Sequence, residues 1–184
     1  YDDTNWLMNM TENLLAATHL ETDRESYKMR PERIEDLFQR AVAQLDRRAA
    51  EHHISVHLDD AALVAAMNAR LIERVIINIM NNAIQYTPKG SNIELHGMKK
   101  GNTVEIRVTD DGPGISDDAK RHLFDLFYTA GQEKADCQRG LGLGLNLCQS
   151  IVAMHGGKID VLDHVPNGTA FQFALPLVSP EAGR

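Results

Sequence analysis

Between Ala69 and Tyr86 the apolar residues Leu71, Ile72, Val75, Ile76, Ile79, Met80 and Ala83 recur at three- and four-residue steps. That is the period of a helix with one buried face, and Thr87-Pro88-Lys89-Gly90 stops it. The same spacing at Trp6, Leu7, Met10, Leu14, Leu15 and Leu20 predicts a helix over 1–22. A polar stretch over 23–31 reads as a linker. Ile34, Leu37, Phe38, Val42 and Leu45 predict a further helix over 31–52, with Pro31 in its first turn. Two-residue alternation over 54–58 predicts a strand, Asp59-Asp60 a turn, and 63–67 a short apolar strand. Segments 93–98 and 104–108 form a predicted hairpin joined at Lys100-Gly101-Asn102. A short helix over 117–127, a loop over 128–139 and a helix over 143–155 follow, the last ended by Gly156-Gly157. Strands over 159–162 and 170–175 and a polar tail over 179–184 complete the chain. The order predicts an α+β fold, an α/β two-layer sandwich whose mixed sheet carries helices on one face. One domain is expected over 32–178.

The 184 residues are 43% hydrophobic and 24% charged, the composition of a globular protein. No apolar run approaches the ~18–20 residues needed to cross a bilayer, so a cytoplasmic, soluble domain is expected. A net charge of -7 argues against a nucleic-acid partner held by phosphate neutralisation. A nucleotide would have to be held by main-chain N–H groups, a metal ion and a few placed cations. Cys137 and Cys148 lack metal-ligand spacing and read as reduced thiols. The eight histidines are scattered along the chain and read as surface or boundary residues.

Five places bear on candidate chemistry. On the helix over 69–86, Asn78 and Asn82 point within about 40° of each other at the edge of the apolar stripe. An amide oxygen there suits a Mg²⁺ ligand. Asp110-Asp111-Gly112-Pro113-Gly114-Ile115 follows a strand, and a carboxylate at such a strand end can accept from an amino group where glycines leave the wall bare. Gly140-Leu141-Gly142-Leu143-Gly144-Leu145 precedes a helix, which combines turned N–H groups with the helix dipole for an anion. It lacks the Lys-Ser/Thr of a P-loop and the preceding strand of a dinucleotide fingerprint. Leu123 to Tyr128 and Asn167-Gly168-Thr169, each alone, read as core packing and a turn.

Taken in order, Asn78-x3-Asn82, Asp110-x-Gly112-x-Gly114, Phe124-x2-Phe127, Gly140-x-Gly142-x-Gly144 and Gly168-Thr169 resemble the N, G1, F, G2 and terminal glycine boxes of bacterial sensor histidine kinases. These share an ATP-binding superfamily with gyrase and the ninety-kilodalton heat-shock chaperone. Residues 6–15 resemble the end of the second helix of the kinase dimerisation domain. The stretches 2–7 and 13–15 are similar to the potassium-sensing Kdp type.

The resemblance implies a Bergerat-type fold, with 1–22 as a residual dimerisation helix and ATP and Mg²⁺ as cofactors. It implies Asn82 as the metal ligand, Asn78 lining the same site, Asp110 on the adenine amino group and Tyr86 beside the nucleotide. Gly112, Gly114 and Ile115 would admit the ring. Gly140, Gly142 and Gly144 would close over the phosphates, Phe127, Leu141, Leu143 and Leu145 would belong to the same nucleotide site, and Thr169 would support the adenine side. Residues 114–140 would form a lid. Gln85 stands where the family often has lysine, so Arg139 or Lys134 would supply the cation. Leu141 stands in place of a usual threonine. Implied partners are the dimerisation and phosphoacceptor domain of the same kinase, a response regulator receiver domain and a second copy in a homodimer, in a membrane-anchored parent. No histidine here is followed by an acidic residue, so the phosphoacceptor is expected elsewhere, and His19 is read as structural. A non-catalytic nucleotide-responsive module and a serine kinase that binds a sigma factor remain alternatives.

Overall fold

The computed structural model describes residues 28–125 and 144–178. The predicted helix over 1–22, the tail over 179–184, and Phe127, Lys134, Arg139, Gly140, Leu141, Gly142 and Leu143 lie outside the described residues. The strands are β1 (Arg30–Arg33), β2 (His53–Leu58), β3 (Val64–Met67), β4 (Asn92–Lys100), β5 (Thr103–Asp110), β6 (Asp160–Asp163) and β7 (Thr169–Pro176). The helices are α1 (Ile34–Ala43), α2 (Ala69–Tyr86), α3 (Asp117–His122) and α4 (Gly144–Met154), with a 3₁₀ turn over Arg47–Glu51.

Five strands form one sheet in the order β2-β4-β5-β7-β6, with β2 parallel to β4 and every other pair antiparallel. β1 and β3 form a separate antiparallel pair. It is joined to the end of β7 by a bridge between Ala65 and Leu177 and by Val178 N donating to Val64 O at 2.9 Å. Alternation along β4 and β5 sends Ile93, Leu95, Val104, Ile106 and Val108 to one face, where all are buried. There they meet the buried stripes of α1, α2 and α4 in one core. The opposite face carries polar residues, among them Glu94, His96, Glu105 and Arg107.

The helix expected over 31–52 is the clearest correction. Pro31 sits in β1 opposite Ala66, in a two-stranded sheet where both strands are edges and a residue without an N–H is tolerated. The helix begins only at Ile34 and stops at Ala43. Asp46 then caps the 3₁₀ turn by accepting from Arg48 N at 2.9 Å. Apolar spacing at Val42 and Leu45 runs through this break, because both still pack against the core. α2 spans the residues its periodicity predicts, capped by Asn68 Oδ1, which accepts from Leu71 N at 3.3 Å.

α4 is tied to the start of α2 by His155, 9% exposed. Its Nε2 accepts from Asn68 N at 3.0 Å, so Nδ1 carries the proton and donates to Ile151 O at 2.7 Å. Burial holds the imidazole below its ordinary pKa of 6.5. Protonation would set N–H against N–H at Asn68. Below pH 6.5 the unfolded chain therefore binds a proton that the folded chain refuses, and stability falls with pH. Urea midpoints are expected to drop between pH 7 and 5.5, and His155→Gln should flatten that part of the curve. An unchanged slope in the variant would contradict this role.

Candidate functional site

The site begins at the joint between β5 and β7. Asp110, the last residue of β5, continues the helix-facing set of Ile106 and Val108 and is 8% exposed. Its register partner is Thr169, the buried first residue of β7. Asp110 Oδ1 accepts from Gly112 N at 3.0 Å and from Thr169 N at 3.3 Å. Oδ2 has no hydrogen-bond partner among the described residues. Desolvation raises the pKa of this carboxyl above the usual 3.8, against the lowering effect of the two N–H groups and of His164. The next residue is held the other way. Asp111 accepts from Asn92 N at 2.9 Å and from Asn92 Nδ2 at 2.6 Å, and those bonds lower its pKa. One carboxylate is thus latched to β4 at the surface, while the other belongs to a buried residue and keeps one oxygen unpartnered among the described residues.

Two glycines make this joint possible. Gly168 has φ +122, and a Cβ there would lie 1.8 Å from Asp110 O. A Cβ on Gly112 would lie 2.6 Å from Thr87 Cγ2 and 2.9 Å from Asp110 Oδ1. The bare position at Gly112 thus accommodates Thr87 and the carboxylate itself. Thr87, the C-cap of α2, is anchored by its hydroxyl donating to Ala83 O at 2.7 Å. The end of the asparagine-bearing helix and the carboxylate turn are therefore in direct contact. Gly114 takes φ +76 close under Gly168 O, and Ile115 packs against the core.

On α2, Asn78, Asn82 and Gln85 are half-buried and Tyr86 is 47% exposed. Asn81 turns away from them and accepts from Asp46 N at 3.1 Å, which fixes the 3₁₀ turn. Asn78 Nδ2 donates to Cys148 Sγ of α4 at 3.8 Å. The first residue of α4, Gly144, lies against the same amide, its Cβ position 3.9 Å from Asn78 Cγ and Nδ2. The N-terminus of an 11-residue helix, with its partial positive charge, thus stands beside Asn78. Leu145 packs against the core. Burial pushes the Cys148 thiol up to about 12, so it serves here as a small apolar contact.

Of the sequence-predicted residues, the structure brings Asp110, Gly112, Gly114 and Thr169 into one turn, and Asn78 and Gly144 into another contact. Three supports were not singled out from sequence: Thr87, the Asn92 latch on Asp111, and Asn146, whose Nδ2 donates to Phe124 O at 2.9 Å. Asn146 joins the start of α4 to the Phe124 segment, and no local pattern marks it. An open cleft of about 410 Å³ beside the joint touches Gly114, Ile115 and Gly168 but none of Asn78, Asn82 or Asp110. Among the described residues no helix is long and apolar enough to cross a membrane.

Residues 67–179 match the family described as histidine kinase-, DNA gyrase B- and HSP90-like ATPase. The sensor protein KdpD of Clostridium acetobutylicum is 38% identical over 176 residues, which cover 96% of this chain and 20% of that relative. The chain thus spans about one fifth of the relative's length. The catalytic domain of histidine kinase ThkA is similar at a TM-score of 0.72 and 25% identity, covering 84% of this chain and 99% of that one. ThkA solved in complex with the response regulator protein TrrA is similar at a TM-score of 0.73 and 25% identity, covering 97% of this chain and 50% of that one. With its fold, its order of glycine and asparagine motifs and the match over 67–179 in agreement, the chain belongs to the histidine kinase-, DNA gyrase B- and HSP90-like ATPases.

Proposed function

We propose that the chain is the catalytic domain of a sensor histidine kinase, which binds Mg-ATP and donates its γ-phosphoryl group to a histidine on a dimerisation domain. The observation that carries the nucleotide is Asp110. Two main-chain N–H groups fix its Oδ1 and leave Oδ2 as an oriented acceptor on an otherwise buried residue. An exocyclic amino group of a purine is the complementary donor. Gly112, Gly114 and Ile115 would flank the ring, with Tyr86 beside the nucleotide and Thr169 backing the adenine side.

The phosphates would extend from there towards α2 and α4. Asn82 is the residue assigned to Mg²⁺, since its neutral amide offers a hard oxygen. The ion would supply charge neutralisation between the phosphates. Gln85, the helix start at Gly144 and Leu145, and the segment carrying Phe127, Arg139 and 140–143 complete the assignment. Asn78 has no basic group, and none is needed, because a neutral imidazole nitrogen attacks phosphorus with its own lone pair. The P–N bond forms, the bond from phosphorus to the β–γ bridging oxygen breaks, and ADP leaves. Residues 1–22 are read as the end of a dimerisation helix, which would make the whole protein a homodimer. The TrrA complex of ThkA supports a response regulator as the downstream partner.

Two experiments test this reading. Asp110→Asn keeps an acceptor for the two N–H groups but sets an NH₂ against the purine amino group. Calorimetric titration should show ATP binding weakened about 10- to 100-fold, the range for an interaction with a charged group of about 1.5–3 kcal/mol. The variant should fold at least as stably as the parent at pH 7. The folded parent holds a carboxyl whose pKa is raised, so it loses stability as pH rises above 3.8, and the advantage of the variant should shrink as pH falls towards that value. Unchanged ATP affinity would remove the purine contact. Mixed with a separately prepared dimerisation domain from a KdpD relative, the chain should transfer label from ATP to histidine, and Asn82→Ala should slow transfer at least about tenfold, the scale of a disturbed metal site. Transfer at full rate by Asn82→Ala would contradict its role.

A further inference from the structure

The solvent-side face of the sheet, opposite the nucleotide site, gathers a second set of chemical groups. The parallel register of β2 on β4 sets His57 beside His96 and Ser55 beside Glu94. The two imidazoles stack with centroids 4.8 Å apart and planes at 22°. Glu94 Oε2 lies 2.8 Å from His96 Nε2, and Ser55 Oγ lies 3.2 Å from His57 Nε2. One ligand atom each from His57, Glu94 and His96 lies within 4.8 Å of the others. The scatter of histidines along the sequence concealed this, because the strand pairing joins positions 39 residues apart.

We propose that His57, Glu94 and His96 form a divalent transition-metal site of the zinc class, which clamps the edge strand β2 to β4. Two imidazole nitrogens and one carboxylate oxygen are the donor set that zinc takes when it keeps an open position for water. The same donors disfavour Mg²⁺ and Ca²⁺, which prefer all-oxygen shells. Two ligand atoms on a tetrahedral zinc stand roughly 3.3 Å apart, from bond lengths of about 2.0–2.1 Å. Contraction from 4.8 Å needs about 1.5 Å of movement, which rotation of the exposed His57 side chain supplies. Both strands are fixed by the sheet, so backbone ordering is already in place.

The surrounding charges allow a cation. Arg107 stands opposite His96 on β5, and its guanidinium is paired with Glu105 Oε1 at 2.9 Å. Glu94 adds a further negative charge at the site itself. Ser55 is positioned to orient the His57 ring, the kind of outer contact that fixes a ligating imidazole. β2 is an outer strand of the sheet, held on one side only. A metal bound to the folded state and not to the unfolded chain would raise the stability of this edge in proportion to its concentration.

Titration of the chain with zinc chloride, followed by calorimetry and thermal melting, tests the site. A single equivalent is expected to bind with micromolar or tighter affinity and to raise the melting temperature. His57→Asn combined with His96→Asn should weaken binding at least about tenfold, and Glu94→Gln should weaken it as well. His122→Asn, away from the cluster, should bind zinc as the parent does. ATP titration of each variant reports that it is folded. Zinc affinity unchanged in the double variant, or no zinc binding by the parent, would overturn the proposal.

Discussion

The β5–β7 joint depends on one carboxylate that is buried yet only half satisfied. Asp110 Oδ1 takes the N–H groups of Gly112 and Thr169 and so ties the turn after β5 to the first residue of β7. Gly168 passes so close to Asp110 O that any side chain there would collide with it. The turn, the glycine and the strand start hold one another in place. What they hold is an oxygen whose charged form is costly to bury, as the raised pKa records. A group that destabilises its own fold above pH 3.8 belongs to a binding site more readily than to a scaffold.

The neighbouring carboxylate shows why position decides. Asp110 and Asp111 are adjacent in sequence and chemically identical. Alternation along the strand sends the first towards the helices and the second out to Asn92, and their pKa values move in opposite directions. The asparagine helix is brought to the same place by ordinary packing. Thr87 closes α2 against Gly112, and Asn78 meets Cys148 and Gly144 at the start of α4. Between Asn78 and Asn82 the helix carries only Ile79, Met80 and Asn81, none of them an acid or a base.

Much of this was legible in the sequence where the signal is local. The period of α2, the alternation of β4 and β5 and the glycine-flanked Asp110 all appear within short windows. The failures came where distant residues decide. Pro31 reads as a helix start, but its pairing with Ala66 makes it a strand residue. Beyond Ala43 the chain turns into a 3₁₀ segment held by Asn81, which accepts from Asp46 N across 35 residues and competes with a continuing apolar pattern. Thr87 and Asn146 support the site through contacts with segments far along the chain. The histidine pair on β2 and β4 exists only because those strands are parallel neighbours.

The central claim is that Asp110 Oδ2 accepts from a purine amino group. Comparing ATP with inosine triphosphate on the unaltered chain tests it most directly, because the two differ only in the base, with an oxygen in place of that amino group and a hydrogen on the adjacent ring nitrogen. The account predicts that the inosine nucleotide binds about tenfold or more weakly, the loss of one hydrogen bond to a charged group at about 1.5–3 kcal/mol. Equal affinity for the two would contradict it.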